Sequence, residues 1–214
     1  MQLCSPMLPV GAYAYSQGLE FAVSSDWIKD ENTTSMWVQG ILVNALANLD
    51  VPVLSRLHNA WSVNDKKKVL YWNDFLFASR DSRELQAEEQ QLAHALARLL
   101  GDLGISEAVK WRENSRACFL TLFSLGASHW KIPLNEASWG YLWMWAENQV
   151  LAAIKLVPLG QTSGQKILSS AIAIIPELVS TGLSLKDENI GYTAPGQGIA
   201  SALHETQYSR LFRS

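Results

Sequence analysis

The sequence predicts an all-α fold, a single-domain antiparallel bundle of roughly eight to ten helices. Apolar residues recur at helical spacing along most of the 214 residues, and strand-like alternation is nearly absent. The connections between the periodic segments are short, which favours antiparallel neighbours over a doubly wound sheet. We expect residues 1–185 to form the helical domain and residues 186–214 to form a flexible, glycine-rich C-terminal interaction tail.

Capping residues and helix breakers predict the helix boundaries in the first half of the chain. Asp, Asn, Ser and Thr suit N-cap positions, and proline suits the first turn. Asp50 followed by Pro52 should therefore begin a new helix, and Ser82 should open a long polar one. The predicted helices run from Ala12 to Val23, from Thr33 or Thr34 to about Leu49, from Asp50 onward, from a cap at Asn64 to Phe77, and from Ser82 to the glycines Gly101 and Gly104.

Three further helices are predicted in the second half. They run from Arg116 to Trp130, from Glu136 to Val157 behind a cap at Asn135, and from Gly164 to Val179 with a bend or break at Pro176. The segment from Glu136 to Val157 is apolar on nearly every side. Because such a helix must be surrounded by others, we expect it at the centre of the bundle.

The end of the chain has the pattern of an interaction segment. Gly191, Pro195, Gly196 and Gly198 should prevent a helix and act as a hinge. Beyond them, the segment from Ile199 to Phe212 has apolar residues at roughly helical spacing and carries Tyr and Arg, which often anchor interfaces. Two readings stay open: a segment captured by a partner protein, or a C-terminal helix docked on its own domain.

Composition excludes several functional classes. A net charge of −3, without a basic stripe, argues against nucleic acid as a principal ligand. Cys4 and Cys118 have no ligand spacing, which indicates neither a zinc site nor a disulfide framework and favours a reducing cytoplasm. No membrane-spanning segment is expected, because even the stretch from Trp139 to Pro158 contains Glu147 and Lys155.

No catalytic or metal-binding motif stands out. The four histidines lie far apart, so we interpret each as a surface or helix-end residue, and we expect no catalytic, cofactor or metal site. The charged residues from Arg80 to Glu89 are interpreted as surface pairs along one helix. The alternative is an enzyme of unknown substrate that uses Glu20 or the acidic group of Asp81 and Glu84.

Two isolated charges lie in apolar surroundings and are candidates for function. Glu20 follows GAYAYSQGL, and Lys155 lies within VLAAIKLVPLGQ. A buried ion carries a large desolvation cost, so each side chain must reach water, a partner charge or a functional contact. Lys155 also lies in the last turn of its predicted helix, where the macrodipole favours a cation. A structural and a functional role remain equally open for both.

Three blocks that span nearly the whole chain resemble the UreF family of urease accessory proteins. They are SPMLPVGAYAYSQGLE near the start, ENQVLAAIKLVPLGQTSGQ in the middle and ASALHETQYSRLFRS at the end. The last block, with HETQYSRLFRS, is highly specific. Ala14 stands where the family pattern has serine.

The resemblance implies an all-α, homodimeric, non-enzymatic chaperone of urease maturation. It would assemble with a scaffold protein called UreD or UreH, with the GTPase UreG and with apo-urease, and would regulate the GTP hydrolysis that accompanies nickel insertion. Nickel and GTP would belong to the partners, so no cofactor is expected on this chain. The resemblance assigns Glu20 and Lys155 to the GTPase side, the residues Tyr208, Arg210, Phe212 and Arg213 to the scaffold side and tail, and Tyr13, Ser16 and Gln17 to an N-terminal motif.

Overall fold

The computed structural model describes residues 2–214, and within them every regular element is helical. Nine α-helices in this range confirm the predicted all-α class and the predicted number of helices. The helices are α1 Leu19–Ser24, α2 Glu31–Ser62, α3 Lys66–Ala78, α4 Arg83–Asp102, α5 Ser106–Val109, α6 Phe119–His129, α7 Leu134–Leu156, α8 Gln161–Ser184 and α9 Pro195–His204. Short 3₁₀ helices cover Gln2–Cys4, Ala12–Ala14 and Asp187–Asn189.

Helix α7 lies at the centre, as its apolar sequence predicts. It packs against α8 and α2, and Tyr141, Leu142 and Val150 are among its buried residues. Trp139 and Leu151 are partly exposed. The second half of α2 packs on α3 and α6, and α4 packs on α6. At one end of the bundle, α1 and α9 pair with each other against α7 and the start of α4.

Helix α2 is continuous, so the predicted break at Asp50 is wrong. A π-helical segment, Leu42–Asp50, joins its two α-helical halves, and Pro52 follows in the first turn of the second half. Proline has no N–H to donate to the carbonyl four residues earlier. That carbonyl, of Asn48, instead accepts the N–H of Gly191 at 3.3 Å. The helix therefore tolerates Pro52 because a distant residue uses the acceptor that proline leaves.

Other predicted boundaries are confirmed or corrected by the local hydrogen bonds. Ser82 caps α4 as predicted and accepts the N–H of Leu85. The predicted caps at Thr33 or Thr34 and at Asn64 are wrong: the carboxylate of Asp30 accepts the N–H of Thr33, and that of Asp65 accepts the N–H of Lys68. Helix α6 begins at Phe119 rather than Arg116, and α8 passes unbroken through Pro176, which lies on its exposed face.

Two helices, α2 and α8, are long and apolar enough to cross a membrane by length and composition alone, which corrects the expectation that the stretch from Trp139 to Pro158 comes nearest. The apolar window in α2 is 72% buried within the bundle, as in the core helix of a folded domain, and the window in α8 is 33% buried. Core helices of folded domains have the same length and composition, so these two properties alone are weak evidence for a membrane span.

Candidate functional site

The N-terminal motif forms a turn that binds the end of the chain. The predicted helix from Ala12 to Val23 is wrong, because Gln17 and Gly18 take left-handed backbone angles and α1 starts only at Leu19. The backbone N–H groups of Ser16 and Gln17 both donate to the carbonyl oxygen of Ser214, at 2.7 and 3.0 Å. These donors therefore serve a residue that lies about two hundred positions away, instead of a helix of their own.

Glycine is required at position 18 by two separate constraints. Its φ of +85° lies in the left-handed region that L side chains avoid. A Cβ at this position would also lie 2.8 Å from the backbone nitrogen of Ser201 in α9. The absence of a side chain thus lets α9 approach the start of α1, which brings the last part of the chain over the N-terminal motif.

Glu20 is buried and binds the backbone of the terminal segment, residues 205–214. One carboxylate oxygen accepts the N–H of Leu211 at 2.7 Å, and the other accepts the N–H of Phe212 at 2.8 Å. Glu20 is 7% exposed. The interpretation of Glu20 as an isolated charge is therefore wrong, because a carboxylate that accepts two backbone N–H groups is well compensated.

A buried histidine links Glu20 to a second acidic residue. His204, the last residue of α9, is 0% exposed, so the interpretation as a helix-end residue is right and the interpretation as a surface residue is wrong. Its Nδ1 lies 2.7 Å from Glu84 of α4, and its Nε2 lies 3.3 Å from Glu20 of α1. The other oxygen of Glu84 accepts from Nη1 of Arg210 at 2.8 Å. We call these four residues, Glu20, Glu84, His204 and Arg210, the acid–histidine cluster.

Lys155 contacts the same segment from α7. Its Nζ lies 5.6 Å from the centre of the Phe212 ring, within the range of a cation–π contact. Phe212 is buried in a small apolar cluster with residues from α1, α7 and α9, including Leu19, Ala153 and Ala200. The structure thus brings together Glu20, Lys155, Arg210 and Phe212.

The outer surface of α9 and the terminal segment remains apolar and exposed. Tyr208 is fully exposed, and Leu211, Ile199 and Leu203 are 66%, 54% and 43% exposed. We call these four residues the apolar strip. Ile199 and Leu203 lie one turn apart on α9 and therefore share one face of the helix, and exposed apolar faces mark interaction sites. Arg213 is also exposed, and its backbone N–H donates to the carbonyl of Ala14 at 2.9 Å. Tyr13 of the N-terminal motif is 69% exposed and lies outside the acid–histidine cluster.

Two corrections concern the predicted hinge and tail. Pro195, Gly196 and Gly198 lie inside α9, and Pro195 occupies its first turn, where the missing N–H has no cost. The helix ends at His204, so the predicted helical segment from Ile199 to Phe212 is only partly right. Residues 211–214 then pack back on α1 and the N-terminal motif. The predicted role of residues 186–214 as an interaction tail stays a prediction.

Arg80, just before α4, forms a second network next to this site with the buried carboxylates Asp50 and Glu89. The interpretation of the Arg80 to Glu89 stretch as surface pairs is therefore wrong for Arg80, Glu88 and Glu89, whereas Asp81 and Arg83 are exposed as expected. Arg80 bonds Asp50 of α2 at 2.7 Å and Glu89 at 2.8 Å. Burial lowers the pKa of Arg80, but Asp50 and Glu89 outweigh that effect and raise it well above its ordinary value. Tyr141 donates to Asp50 at 2.7 Å, and burial followed by the charge of Asp50 raises the pKa of this phenol well above its ordinary value.

Glu88 connects this network to the N-terminal motif. It accepts from Nε2 of Gln17 at 2.7 Å and from Oγ of Ser214 at 3.0 Å, while Gln17 accepts from the Trp145 indole N–H at 2.7 Å. Burial raises the pKa of Glu88 to about 7, although the hydrogen bonds from Gln17 and Ser214 oppose the shift. Glu88 lines a partly open cavity of about 80 Å³ together with Gln149 and Arg80.

Sequence reasoning missed three residues of the site: His204, Glu84 as a contact of the tail, and Glu88. One signal for His204 was available. Gly198, Ala200 and Ser201 precede it on one face of α9, and small residues at helical spacing indicate a closely packed face on which His204 falls.

The site gives no support to the alternative of an enzyme. The carboxylates of Glu20 and Glu84 are occupied by contacts within the chain, and Asp81 lies exposed beside Gly198. In residues 2–214, no group of three or more His, Cys, Asp or Glu side chains is placed to hold a metal ion.

Comparison with known proteins gives a consistent family. Residues 28–172 match the sequence model of the UreF family. A protein of Alkalilimnicola ehrlichii named "Urease accessory protein UreF" is 50% identical over 100% of this chain and 93% of its own length. Proteins of the same name from Hahella chejuensis and Teredinibacter turnerae are each 44% identical, over 100% of this chain and 96% of their own lengths.

Proposed function

This chain belongs to the UreF family of urease accessory proteins, and we propose that it acts in urease maturation as a non-enzymatic assembly factor. In this proposal it binds a UreD or UreH scaffold, the GTPase UreG and apo-urease, acts as a homodimer in the cytoplasm, and regulates GTP hydrolysis during nickel insertion. Nickel and GTP are bound by the partners. The names of the relatives support the role in urease maturation, and the resemblance of the three sequence blocks supports the named partners.

The observation that carries the proposal is the apolar strip. Tyr208 and Leu211 project from a segment whose backbone is fixed from beneath by Glu20, so the strip is already ordered before any partner arrives. A preordered surface loses less conformational entropy on binding than a disordered segment does. Tyrosine and arginine are also enriched among the residues that dominate binding energy. These properties support Tyr208, Arg210 and Arg213 as contacts of the scaffold.

The buried residues of the site take a different part in the proposal. Glu20 and Phe212 are covered by the chain itself, so their influence on a partner passes through the conformation of the terminal segment. Lys155 is exposed and contacts Phe212, so its ammonium group is available to a partner at the same place. The GTPase-side role of Glu20 and Lys155 is thus proposed to depend on the terminal segment.

The experiment co-expresses the chain with UreD or UreH, UreG and urease, followed by affinity capture and size-exclusion chromatography. We expect the wild-type chain to elute with the accessory partners. Tyr208→Ala should weaken capture roughly thirtyfold or more, the scale of a binding hot spot. The variant should fold normally because the Tyr208 side chain has no burial to lose.

The matched control is Tyr71→Ala, since Tyr71 is 61% exposed on α3, outside the site. Its capture should equal that of the wild-type chain. Capture that is unchanged in Tyr208→Ala and in the corresponding Leu211→Ala would remove the apolar strip from the interface. Failure of the wild-type chain to bind any of these partners would contradict the proposed function itself.

A further inference from the structure

A cleft lies at the end of the bundle where α2 ends and α3 begins. It has a volume of about 260 Å³ and opens between Trp61 of α2, Leu70 of α3 and the connection from α5 to α6, which supplies Lys110, Trp111 and Asn114. Within the described chain, it shares no lining residue with the acid–histidine cluster or the apolar strip. The cleft is therefore a separate feature of the surface.

The walls of the cleft are aromatic and held in place by the fold. The ring of Trp61 meets that of Trp111 edge to face, with the ring centroids 6.3 Å apart. The indole N–H of Trp61 donates to the carbonyl of Thr121 in α6 at 3.1 Å, and Trp111 is 6% exposed. An apolar ring that enters the cleft therefore loses little free energy to ordering of the walls, and aromatic rings pack well against one another.

Two exposed lysines give the cleft a positive charge. Lys66, at the start of α3, and Lys110, directly after α5, both line the cleft, and neither forms a salt bridge within residues 2–214. Glu107 is the one carboxylate among the lining residues that the structure describes, and the hydroxyl of Ser106 donates to it at 3.1 Å. Two lysines and one glutamate leave the lining with one net positive charge, on a chain whose net charge is −3.

The size and the charge of the cleft together define a class of ligand. Pockets for drug-sized ligands have volumes of about 300 to 1,000 Å³, so a cleft of about 260 Å³ fits a smaller molecule with one ring system. A lysine ammonium group pairs with an anion and does not impose a bidentate geometry on it. A carboxylate carries a single negative charge, which matches the single net positive charge of the lining.

We propose that this cleft binds a small aromatic carboxylate, with its ring against Trp61 and Trp111 and its carboxylate facing Lys66 and Lys110. The apolar walls supply the attraction for the ring, because an aromatic group that leaves water for this cleft buries apolar surface. The lysines supply the preference for an anion. This ligand site goes beyond the proposed function, and it is a property of the isolated chain that can be tested without any partner protein.

The test titrates the isolated chain with three ligands of similar shape and different charge: naphthoate, naphthylmethanol and naphthylmethylamine. Naphthoate should shift the indole N–H signals of Trp61 and Trp111 in ¹H–¹⁵N NMR spectra. It should bind about threefold or more tightly than the neutral alcohol, the scale of exposed ion contacts, and the cationic amine should bind most weakly. Naphthoate that binds no more tightly than the alcohol, or that shifts neither signal at millimolar concentration, would overturn the proposal.

A larger apolar groove between α7 and α8 provides an internal comparison in the same spectra. It has a volume of about 610 Å³ and is lined by Trp139, Trp143 and Ile172, while Glu136 supplies its charge. A carboxylate should be disfavoured beside Glu136, because like charges repel each other. Naphthoate shifts confined to the indole signals of Trp139 and Trp143 would show binding at this groove instead and would overturn the assignment to the cleft.

Charge variants should change the affinity for naphthoate in opposite directions. Lys66→Met and Lys110→Met should each weaken binding about two- to fivefold, whereas Glu107→Gln should strengthen it by a similar factor. All three side chains are exposed, so the variants should fold normally. The matched control is Lys67→Met, since Lys67 is exposed on α3 and does not line the cleft. Affinity that is unchanged in both lysine variants, or a change of the same sign in all three cleft variants, would overturn the proposal.

Discussion

Glu88 gives a quantitative test of the electrostatics beside the site. The perturbation is Glu88→Gln. At a pKa of about 7 the buried carboxyl is protonated in mildly acidic solution, where one oxygen accepts from Gln17 and the protonated one can donate to the hydroxyl of Ser214. A glutamine amide has nearly the same shape, with a carbonyl oxygen that can accept from Gln17 and an NH₂ group that can donate to the hydroxyl of Ser214. The variant should therefore keep both contacts and remove only the titration.

The magnitude follows from the shift in the pKa of Glu88, from the ordinary 4.5 to about 7. A difference of about 2.5 pH units corresponds to about 3 kcal/mol, at 1.36 kcal/mol for each unit. The sign follows from proton binding: the folded state holds the proton more tightly than the unfolded state does. The contribution of Glu88 to the free energy of unfolding is thus complete below pH 4.5 and is lost as pH rises through about 7.

The assay is urea unfolding of both proteins at about pH 5 and about pH 8. The free energies of unfolding should be similar at the lower pH, and the variant should be more stable by about 2 to 3 kcal/mol at the higher pH. Glu177→Gln is the control, since Glu177 is exposed on α8 and its replacement should cause no pH-dependent difference. A difference between Glu88→Gln and wild type that does not grow with pH would refute the reasoning.

Two further pairs of variants, each a test with its control, probe a buried ion pair and the packing of the bundle by chemical denaturation. Arg80→Met should destabilise the chain by about 3 to 5 kcal/mol, because it leaves two buried carboxylates without their cation; Lys166→Met, which removes an exposed ion pair, should cost less than about 1 kcal/mol. Gly182→Ala should cost about 1 to 3 kcal/mol, because a Cβ there would lie 2.5 Å from the carbonyl oxygen of Ala47. Gly40→Ala meets no atom within 4 Å and should be neutral or stabilising. Equal costs within either pair would contradict the packing described.

The parts of the fold that sequence could predict are those set by local chemistry. The central helix was expected from Glu136 to Val157 and is observed at Leu134–Leu156, because the apolar residues that define it lie within the segment itself. Ser82 was likewise identified as a cap from its own neighbours. Periodicity and capping act over a few residues, so a single sequence contains the information they need.

The boundaries that could not be predicted depend on residues far away in the chain. The turn at Gln17 and Gly18 is stabilised by the carbonyl of Ser214, and the continuity of α2 through Pro52 uses the N–H of Gly191. Helical periodicity predicts a helix at Gln17 and Gly18, and the proline rule predicts a break at Pro52. A contact between distant segments reverses both predictions. Pairings of this kind are set by the fold as a whole, and no local pattern near either residue encodes them.

The candidate site also combines features that local sequence predicts with contacts that only the fold decides, and Glu20 is the clearest example. The desolvation argument was right to require a partner for a carboxylate in apolar surroundings. This argument showed that Glu20 needs hydrogen-bond donors, but it could not identify them. The donors are the backbone N–H groups of Leu211 and Phe212. Such groups carry no sequence signal, because every residue except proline has one. His204 adds a side-chain contact to the same carboxylate at 3.3 Å. A buried charge in a sequence therefore predicts that a partner exists, whereas only the fold decides whether that partner is another protein or the chain's own end.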